Sequence, residues 1–258
     1  MILLLGGTSD AAPIAMRLAQ EGYRVLISQA TDVPLETARH DNIEFRTGPL
    51  DDRGLAAVIE EYDIRAIVDA AHPYAATVHA AASRVAGAKG IPCLCFVRPA
   101  VVSAASPGVE LVADHAAAAV AAFRRGRPVL LTTGTRNLAP YVAESRNTGQ
   151  VLVVRVLDHP HSLNAGRQAG IQPQQIIAGR GPFSVDENRR HIRAFTAGVL
   201  VTKDSGTAGG TIEKLEAARA EGCEVVVIAR PAWVTSLQFA EVDALLAAVT
   251  AFDGVAGA

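Results

Sequence analysis

Ile2-Leu3-Leu4-Leu5-Gly6-Gly7-Thr8-Ser9-Asp10-Ala11 opens the 258-residue chain with an apolar run, a glycine-rich turn and the start of a helical pattern. A short apolar run bounded by glycine reads as a strand buried on both faces, as in a parallel sheet. A turn of this kind feeding a helix is the entry to an α/β unit. The alternation recurs along the chain. Ile2–Leu5, Arg24–Ile27, Ile43–Arg46, Ala66–Val68 and Cys93–Val97 read as strands, with helices at Ala11–Gln20, Gly54–Glu61 and Ala75–Ala86. After Arg98-Pro99 the pattern loosens, and Ser103-Ala104-Ala105-Ser106-Pro107-Gly108 reads as a linker or long turn. Strands resume at Val129–Thr132, Leu152–Val156, Ile176–Ile177, Val199–Thr202 and Val225–Ile228. The accompanying helices are Ala113–Arg124, Ser184–Ala194, Gly210–Glu221 and a closing Leu237–Ala251. The expected fold is α/β: two Rossmann-like, doubly wound parallel-sheet domains with a cleft between them. Residues 1–103 would carry the cofactor-binding turn, and residues 104–258 substrate and cofactor contacts. A (β/α)8 barrel fits the length, but the central break and the glycine-rich first turn favour open sheets.

Half of the residues are hydrophobic, enough for a core in each of two domains. Lys plus Arg number 24 and Asp plus Glu 26, a net charge of −2, so the basic excess of a nucleic-acid binder is missing. No apolar run nears the roughly 20 residues that span a bilayer. The N-terminal run lacks the basic flank and cleavage pattern of a signal peptide. The expectation is a cytoplasmic protein without membrane or nucleic-acid partners. Of three cysteines, Cys93 and Cys95 share one strand face. With no Cys or His at ligand spacing nearby, they read as buried reduced thiols, and no metal is expected.

Polar residues gather where the strands end, the edge at which open α/β sheets bind ligands. Gly6 and Gly7 let a phosphate approach the backbone at a helix N-terminus, and Thr8 and Ser9 offer hydroxyls, one of them a candidate helix cap. The motif is not G-x-G-x-x-G, and a ligand-free tight turn uses the same residues. The second strand ends in Ser28-Gln29-Ala30-Thr31, where an NAD-binding sheet carries an acidic residue for the ribose. Its absence favours NADP, with Arg39 or Arg46 as partner of a 2′-phosphate. Asp69-Ala70-Ala71-His72-Pro73-Tyr74-Ala75 places an acceptor, a proton-transfer group and a phenol at the next strand end, or else a turn that caps a helix. Thr133-Gly134-Thr135-Arg136 repeats the hydroxyl- and glycine-rich turn, as a second anion-binding loop or a cap from Thr135. Lys203-Asp204-Ser205-Gly206 ends another strand and suits proton transfer or a surface ion pair. Gly179-Arg180-Gly181-Pro182-Phe183-Ser184 leads into a helix with Glu187, Asn188, Arg189, Arg190 and Arg193. Its basic residues suit a polycarboxylate or line a solvated face. Arg155, at a strand end, is not explained by a solvated face.

Together these segments resemble the precorrin-6A reductase family of cobalamin biosynthesis, of which cobalt-precorrin-6A reductases are close relatives. The Gly6–Ala11 turn is similar to that family's GGT motif. Asp69–Ala75, Leu130–Thr135, Gly179–Ser184 followed by Asn188, Thr202–Gly206 and Ala229-Arg230-Pro231 recur in matching order over nearly the whole chain. Two departures are local: Asp10 stands where many members have Glu, and Ala11-Ala12-Pro13 replaces a more polar helix start. The resemblance implies NADPH-dependent reduction of one double bond of precorrin-6A to give precorrin-6B. It also implies cofactor and tetrapyrrole macrocycle meeting at the cleft, and pathway enzymes as partners for substrate handover. The candidate cofactor contacts are Gly6, Gly7, Thr8, Ser9, Asp10, Ser28, Gln29, Thr133, Gly134, Thr135 and Arg136. The candidate substrate contacts are Arg98, Arg155, Ser184, Asn188, Ser205 and Gly206. His72, Tyr74, Lys203 or Asp204 would position the proton that a reduced conjugated imine requires. Three alternatives stand beside this: a nucleotide-dependent transferase with two Rossmann-like domains, a non-catalytic dinucleotide sensor, and a short-chain reductase. The last uses Tyr-x-x-x-Lys, and Tyr74 is followed at that spacing by Val78.

Overall fold

Two six-stranded sheets, each parallel throughout, organise the chain. The computed structural model describes residues 1–30, 40–103, 106–231 and 237–256. The chain begins with β1 (Ile2–Leu5), α1 (Ala11–Gln20), β2 (Val25–Gln29), β3 (Ile43–Thr47), α2 (Asp52–Glu61), β4 (Ala66–Asp69), α3 (Ala76–Lys89) and β5 (Cys93–Phe96). It continues with β6 (Val109–Val112), α4 (His115–Phe123), β7 (Val129–Leu131), α5 (Ala139–Thr148), β8 (Leu152–Val156) and α6 (Pro160–Gln168). Then come β9 (Ile176–Ala178), α7 (Val185–Ala194), β10 (Val199–Lys203), α8 (Thr211–Ala220) and β11 (Glu224–Ile228), and last β12 (Gln238–Phe239) and α9 (Val242–Ala256).

The first sheet runs β3-β2-β1-β4-β5-β12 and the second β9-β8-β7-β10-β11-β6. Both have the 3-2-1-4-5-6 order of a dinucleotide-binding sheet. They differ in the source of the sixth strand, which is last in the chain for the first sheet and precedes the other five in the second. Met1–Pro99 with Pro231–Ala258 form one compact unit and Ala100–Arg230 the other.

This corrects the expected division, in which the second domain runs on to Ala258. The cause is β12: Gln238 and Phe239 register with Cys95 and Phe96 of β5. Cys95 N–H donates to the Leu237 carbonyl and Val97 N–H to that of Phe239, both at 2.8 Å. The closing helix therefore starts at Val242 and not at Leu237. The expected strands otherwise hold within a residue or two at either end, and the structure adds β6, α5 and α6.

Side chains alternate across β1 because successive strand residues point to opposite faces. Ile2 and Leu4 pack in a cluster with Ile14 and Leu18 of α1 and Leu245, Leu246 and Val249 of α9. Leu3 and Leu5 pack on the other face with Leu55, Val58 and Ile59 of α2 and Ala82 and Val85 of α3. Leu5 registers with Ser28 on one side and Asp69 on the other, so polar residues of neighbouring strands end on one row. In the second sheet Leu131 registers with Val154 and Val201, which sets Arg155 and Thr202 one residue beyond.

Leu245 is fully buried. Leu245→Ala is expected to destabilise the first unit by about 2–5 kcal/mol, read as a lower urea midpoint.

Candidate active site

The sheet order reverses between β1 and β4, and the turns that follow these strands meet there. Thr8 Oγ1 donates to the Ala70 carbonyl at 3.0 Å, which joins the glycine turn to the Asp69–Ala75 loop. Gly7 has φ of +112°, a region that favours glycine, and no atom lies within 4 Å of where a side chain would start. Its backbone is exposed. Neither Thr8 nor Ser9 caps α1: the cap residue is Asp10, with no side-chain cap bond. Asp10 instead pairs with Arg98, whose Nη2 also donates to Ser9 Oγ at 2.9 Å. Arg98, a candidate substrate contact, is thus buried against the turn. Its charge offsets a carboxylate that would otherwise repel an anion at the helix N-terminus.

Asp69 is fully buried. Its Oδ1 accepts the Ala71 N–H at 3.1 Å, and His79 of α3 sits 2.6 Å from its Oδ2 through Nδ1. His79 Nε2 lies 3.1 Å from the His72 carbonyl. The ring thus bridges the Asp69 carboxylate and the His72 carbonyl. His72 Nδ1 accepts the Tyr74 N–H at 3.3 Å, which leaves Nε2 as the proton-bearing nitrogen of the neutral ring. The His72 and Tyr74 rings lie 5.6 Å apart. Cap geometry at α3 is plain backbone at Ala75, with no side-chain cap bond.

At the end of β2, Ser28 and Gln29 are buried. Arg46 of β3 donates through Nη1 to Ser28 Oγ at 2.6 Å and to the Gly48 carbonyl at 3.1 Å. Arg39 and Thr31 lie outside the described residues.

The second sheet reverses between β7 and β10. Thr132 Oγ1 donates to the Val201 carbonyl at 3.0 Å. The turn Thr133–Arg136 follows with Gly134 at φ of +79°. Thr135 does not cap α5, whose cap residue is Leu138 without a side-chain bond. Lys203 lies across from this turn: burial, and then the charge of Arg136, hold its ammonium below the ordinary lysine range. Behind it, His115 Nδ1 and Tyr141 Oη are 3.0 Å apart. Burial and Lys203 push His115 down to about 4, so the ring is neutral at pH 7.

Asp204 is buried, so it is not part of a surface ion pair, and its carboxylate is held by the fold. Oδ2 accepts the N–H groups of Val101 and Val102 at 3.0 and 3.1 Å. Oδ1 accepts the Gly206 N–H at 3.0 Å and Arg230 Nη2 at 3.3 Å. These four bonds use the acceptor capacity of a carboxylate. Ser205 N–H donates to Thr211 Oγ1 at 3.0 Å, so the Ser205-Gly206 turn is held by α8 and by Asp204.

Two of the candidate substrate contacts also serve the fold. Ser184 caps α7 in a reciprocal capping box with Glu187. Asn188 donates through Nδ2 to the Phe183 and Ser184 carbonyls, and its Oδ1 accepts Arg155 Nη1 at 2.7 Å. Arg155 lies 4.1 Å from the Phe183 ring centre. Gly179 makes room for that ring, since a Cβ there would come within 2.8 Å of it. Arg189 and Arg193 pair with Glu221 at the C-terminal end of α8, as a solvated helix face would.

The family model described as precorrin-6x reductase CbiJ/CobK matches residues 1–250. The chain belongs to this family. It is similar to the cobalt-precorrin-6A reductase of Priestia megaterium, 32% identical over 232 residues covering 90% of this chain and 91% of that one. The precorrin-6A reductase of Mycobacterium tuberculosis (strain H37Rv) is 33% identical over 238 residues, 89% and 88% of the two chains. The solved structure of CobK precorrin-6A reductase superposes with a TM-score of 0.80 at 26% identity, covering 97% of this chain and 96% of that one. Membership of the CbiJ/CobK family makes this an oxidoreductase and displaces the transferase alternative.

Within this reductase chain three groups escape a motif-based reading: His79, the His115–Tyr141 pair and Lys214, whose Nζ donates to the Gly209 carbonyl at 3.0 Å. Each lies on a helix, outside the strand-end motifs. Among the described residues no helix is long and apolar enough to cross a membrane.

His79→Ala leaves Asp69 buried without its partner and is expected to destabilise by about 3–5 kcal/mol. His72→Ala, half-exposed and outside that pair, is expected to cost under about 1 kcal/mol. Denaturant unfolding of the two variants checks both values.

Proposed function

We propose that this protein uses NADPH to reduce one double bond of precorrin-6A, giving precorrin-6B, in cobalamin biosynthesis. The observation that carries the cofactor choice is the guanidinium of Arg46 held on Ser28 Oγ at the end of β2. In a 3-2-1-4-5-6 sheet this is where the adenosine ribose is read, and an NAD site keeps a carboxylate there. A serine with a bound arginine suits a 2′-phosphate. The open Gly7 backbone at the N-terminus of α1 fits the pyrophosphate. When bound, the dihydronicotinamide supplies the hydride.

The chain's own residues bind, orient and manage a proton. Thr8 and Arg98 hold the turn in shape, and Asp69 with His79 fixes the loop that presents His72 and Tyr74. His72, Tyr74, Lys203 or Asp204 positions the proton that the reduced macrocycle requires, directly or through water. Thr133, Gly134, Thr135 and Arg136 form a second anion-facing turn. The substrate is a soluble tetrapyrrole rich in carboxylates, matched by the buried Arg155.

The test is anaerobic incubation with NADPH and precorrin-6A or cobalt-precorrin-6A, following the nicotinamide and tetrapyrrole absorbances together. Equal stoichiometric loss of both signals is expected, with NADH slower. Absence of nicotinamide oxidation with both substrates would overturn the reading. Arg46→Ala is expected to raise the KM for NADPH by about 10–100-fold and to leave that for NADH nearly unchanged, the loss of one charged hydrogen-bonded contact.

A further inference from the structure

The first turns of α4 and α5 are joined side chain to side chain. His115 opens α4 and Tyr141 lies in the opening turn of α5, with Nδ1 and Oη 3.0 Å apart and the rings edge to face at 5.8 Å. Both helices leave the carboxyl edge of the second sheet, α4 after β6 and α5 after β7. The pair therefore lies on the edge where open α/β sheets take ligands. α4 also packs against β10, whose last residue is Lys203.

The geometry fixes where the protons are. Tyr141 is fully buried, and burial first, then the charge of Asp114, push its phenol above the ordinary range. Its hydroxyl keeps its proton and donates to His115 Nδ1. A neutral imidazole that accepts at Nδ1 carries its own proton on Nε2. A backbone carbonyl would satisfy a buried phenol equally well. Histidine adds a second polar atom: the ring is half-buried, and its Nε2–H donates to no described residue. The pair thus ends in one neutral N–H, held in one tautomer by a partner that keeps its proton at neutral pH. A neutral donor awaiting a ligand costs far less than an unpaired buried charge.

Resting on the tetrapyrrole reading above, we propose that His115 donates through Nε2 to a carboxylate oxygen of the macrocycle's side chains, with Tyr141 as the positioning residue that fixes the tautomer. The occupant is an acceptor because that side of the ring offers only a donor. It is an anion because the charge of Lys203 reaches His115 and that of Arg136 reaches Lys203. Asp114 opposes them at His115, but its Oδ1 is spent on the Ala117 N–H at 2.8 Å, where it caps α4.

The test uses the full chain without NADPH, so that binding is read apart from reduction. Precorrin-6A is titrated anaerobically by calorimetry. His115→Ala is expected to raise its Kd about 10–100-fold, the loss of one hydrogen bond to a charged group. His115→Gln, whose amide N–H takes the place of Nε2, is expected to recover most of that loss. Tyr141→Phe is expected to raise the Kd by less than His115→Ala does, and by nothing further once His115 is Ala. That double variant leaves no buried hydroxyl without a partner, so it reports the loss of Nε2–H in a folded chain even where His115→Ala alone is unstable. In turnover the KM for precorrin-6A is expected to follow the Kd, with the KM for NADPH unchanged. Nitrogen NMR of histidine-labelled protein is expected to show His115 protonated on Nε2 alone in the wild type, and on either nitrogen in Tyr141→Phe.

An unchanged Kd for precorrin-6A in the folded variants makes the pair a structural brace and overturns the contact. So does a KM raised for NADPH in place of precorrin-6A. A Tyr141→Phe effect that persists once His115 is Ala, or a wild-type His115 protonated on Nδ1, overturns the role of Tyr141. A wild type that binds neither precorrin-6A nor cobalt-precorrin-6A overturns the substrate reading and the contact together. Wild-type binding that depends on His115, without reduction by NADPH, overturns the reaction and leaves the contact standing.

Discussion

A carboxylate with no access to water sits at the last row of β4, and the geometry of the first site follows from how it is met. Asp69 takes the Ala71 N–H on one oxygen and His79 on the other, and the far side of the His79 ring holds the His72 carbonyl. One histidine thereby fastens a proline-containing loop to the strand it leaves. Thr8 reaches the same loop from the glycine turn through the Ala70 carbonyl. Both sides of the sheet's reversal point are therefore held by bonds that converge within three residues of Asp69.

The second sheet repeats this device with a different purpose. Asp204 follows β10, which occupies in its sheet the position that β4 occupies in the first. Each aspartate accepts the N–H two residues on, at 3.1 Å for Asp69 and 3.0 Å for Asp204, the local bond by which such residues start a turn. The other oxygen of Asp69 goes to a histidine under the His72–Tyr74 loop. The other oxygen of Asp204 goes to the backbone of Val101 and Val102, where the chain enters the unit, and Arg230 approaches from where it leaves. Similar strand ends thus fasten a loop to its strand in one case and close the unit in the other.

The sheets were legible because parallel strands buried on both faces write themselves as apolar runs, as in Ile2–Leu5 and Val199–Lys203. The strands that escaped notice, Val109–Val112 and Gln238–Phe239, lie at sheet edges and carry no fully buried residue. An edge strand needs one neighbour and little hydrophobicity, so its place is decided by a partner far off in the chain. The reach of β12 back to β5 is a long-range pairing that no local pattern encodes. Site residues divide in the same way. Strand-end motifs marked the turns correctly, yet Ser184, Asn188 and Asp204 spend their polar atoms on the fold. Conversely, Lys214 looks from sequence like any solvated helical lysine, and only its burial distinguishes it.

The first unit is written in two pieces, with a complete second unit between them. During synthesis, the N-terminal five strands emerge with β5 as an unpaired edge and with the face of Leu4, Ile14 and Leu18 lacking its contribution from α9. Closing that gap joins residues separated by well over a hundred positions, a contact that forms slowly because chain entropy opposes it. Ala100–Arg230 has all six strands of its own sheet within one continuous stretch and can finish first. The molecule thus matures from the middle outward, and its N-terminal half waits on its C-terminus for a complete core.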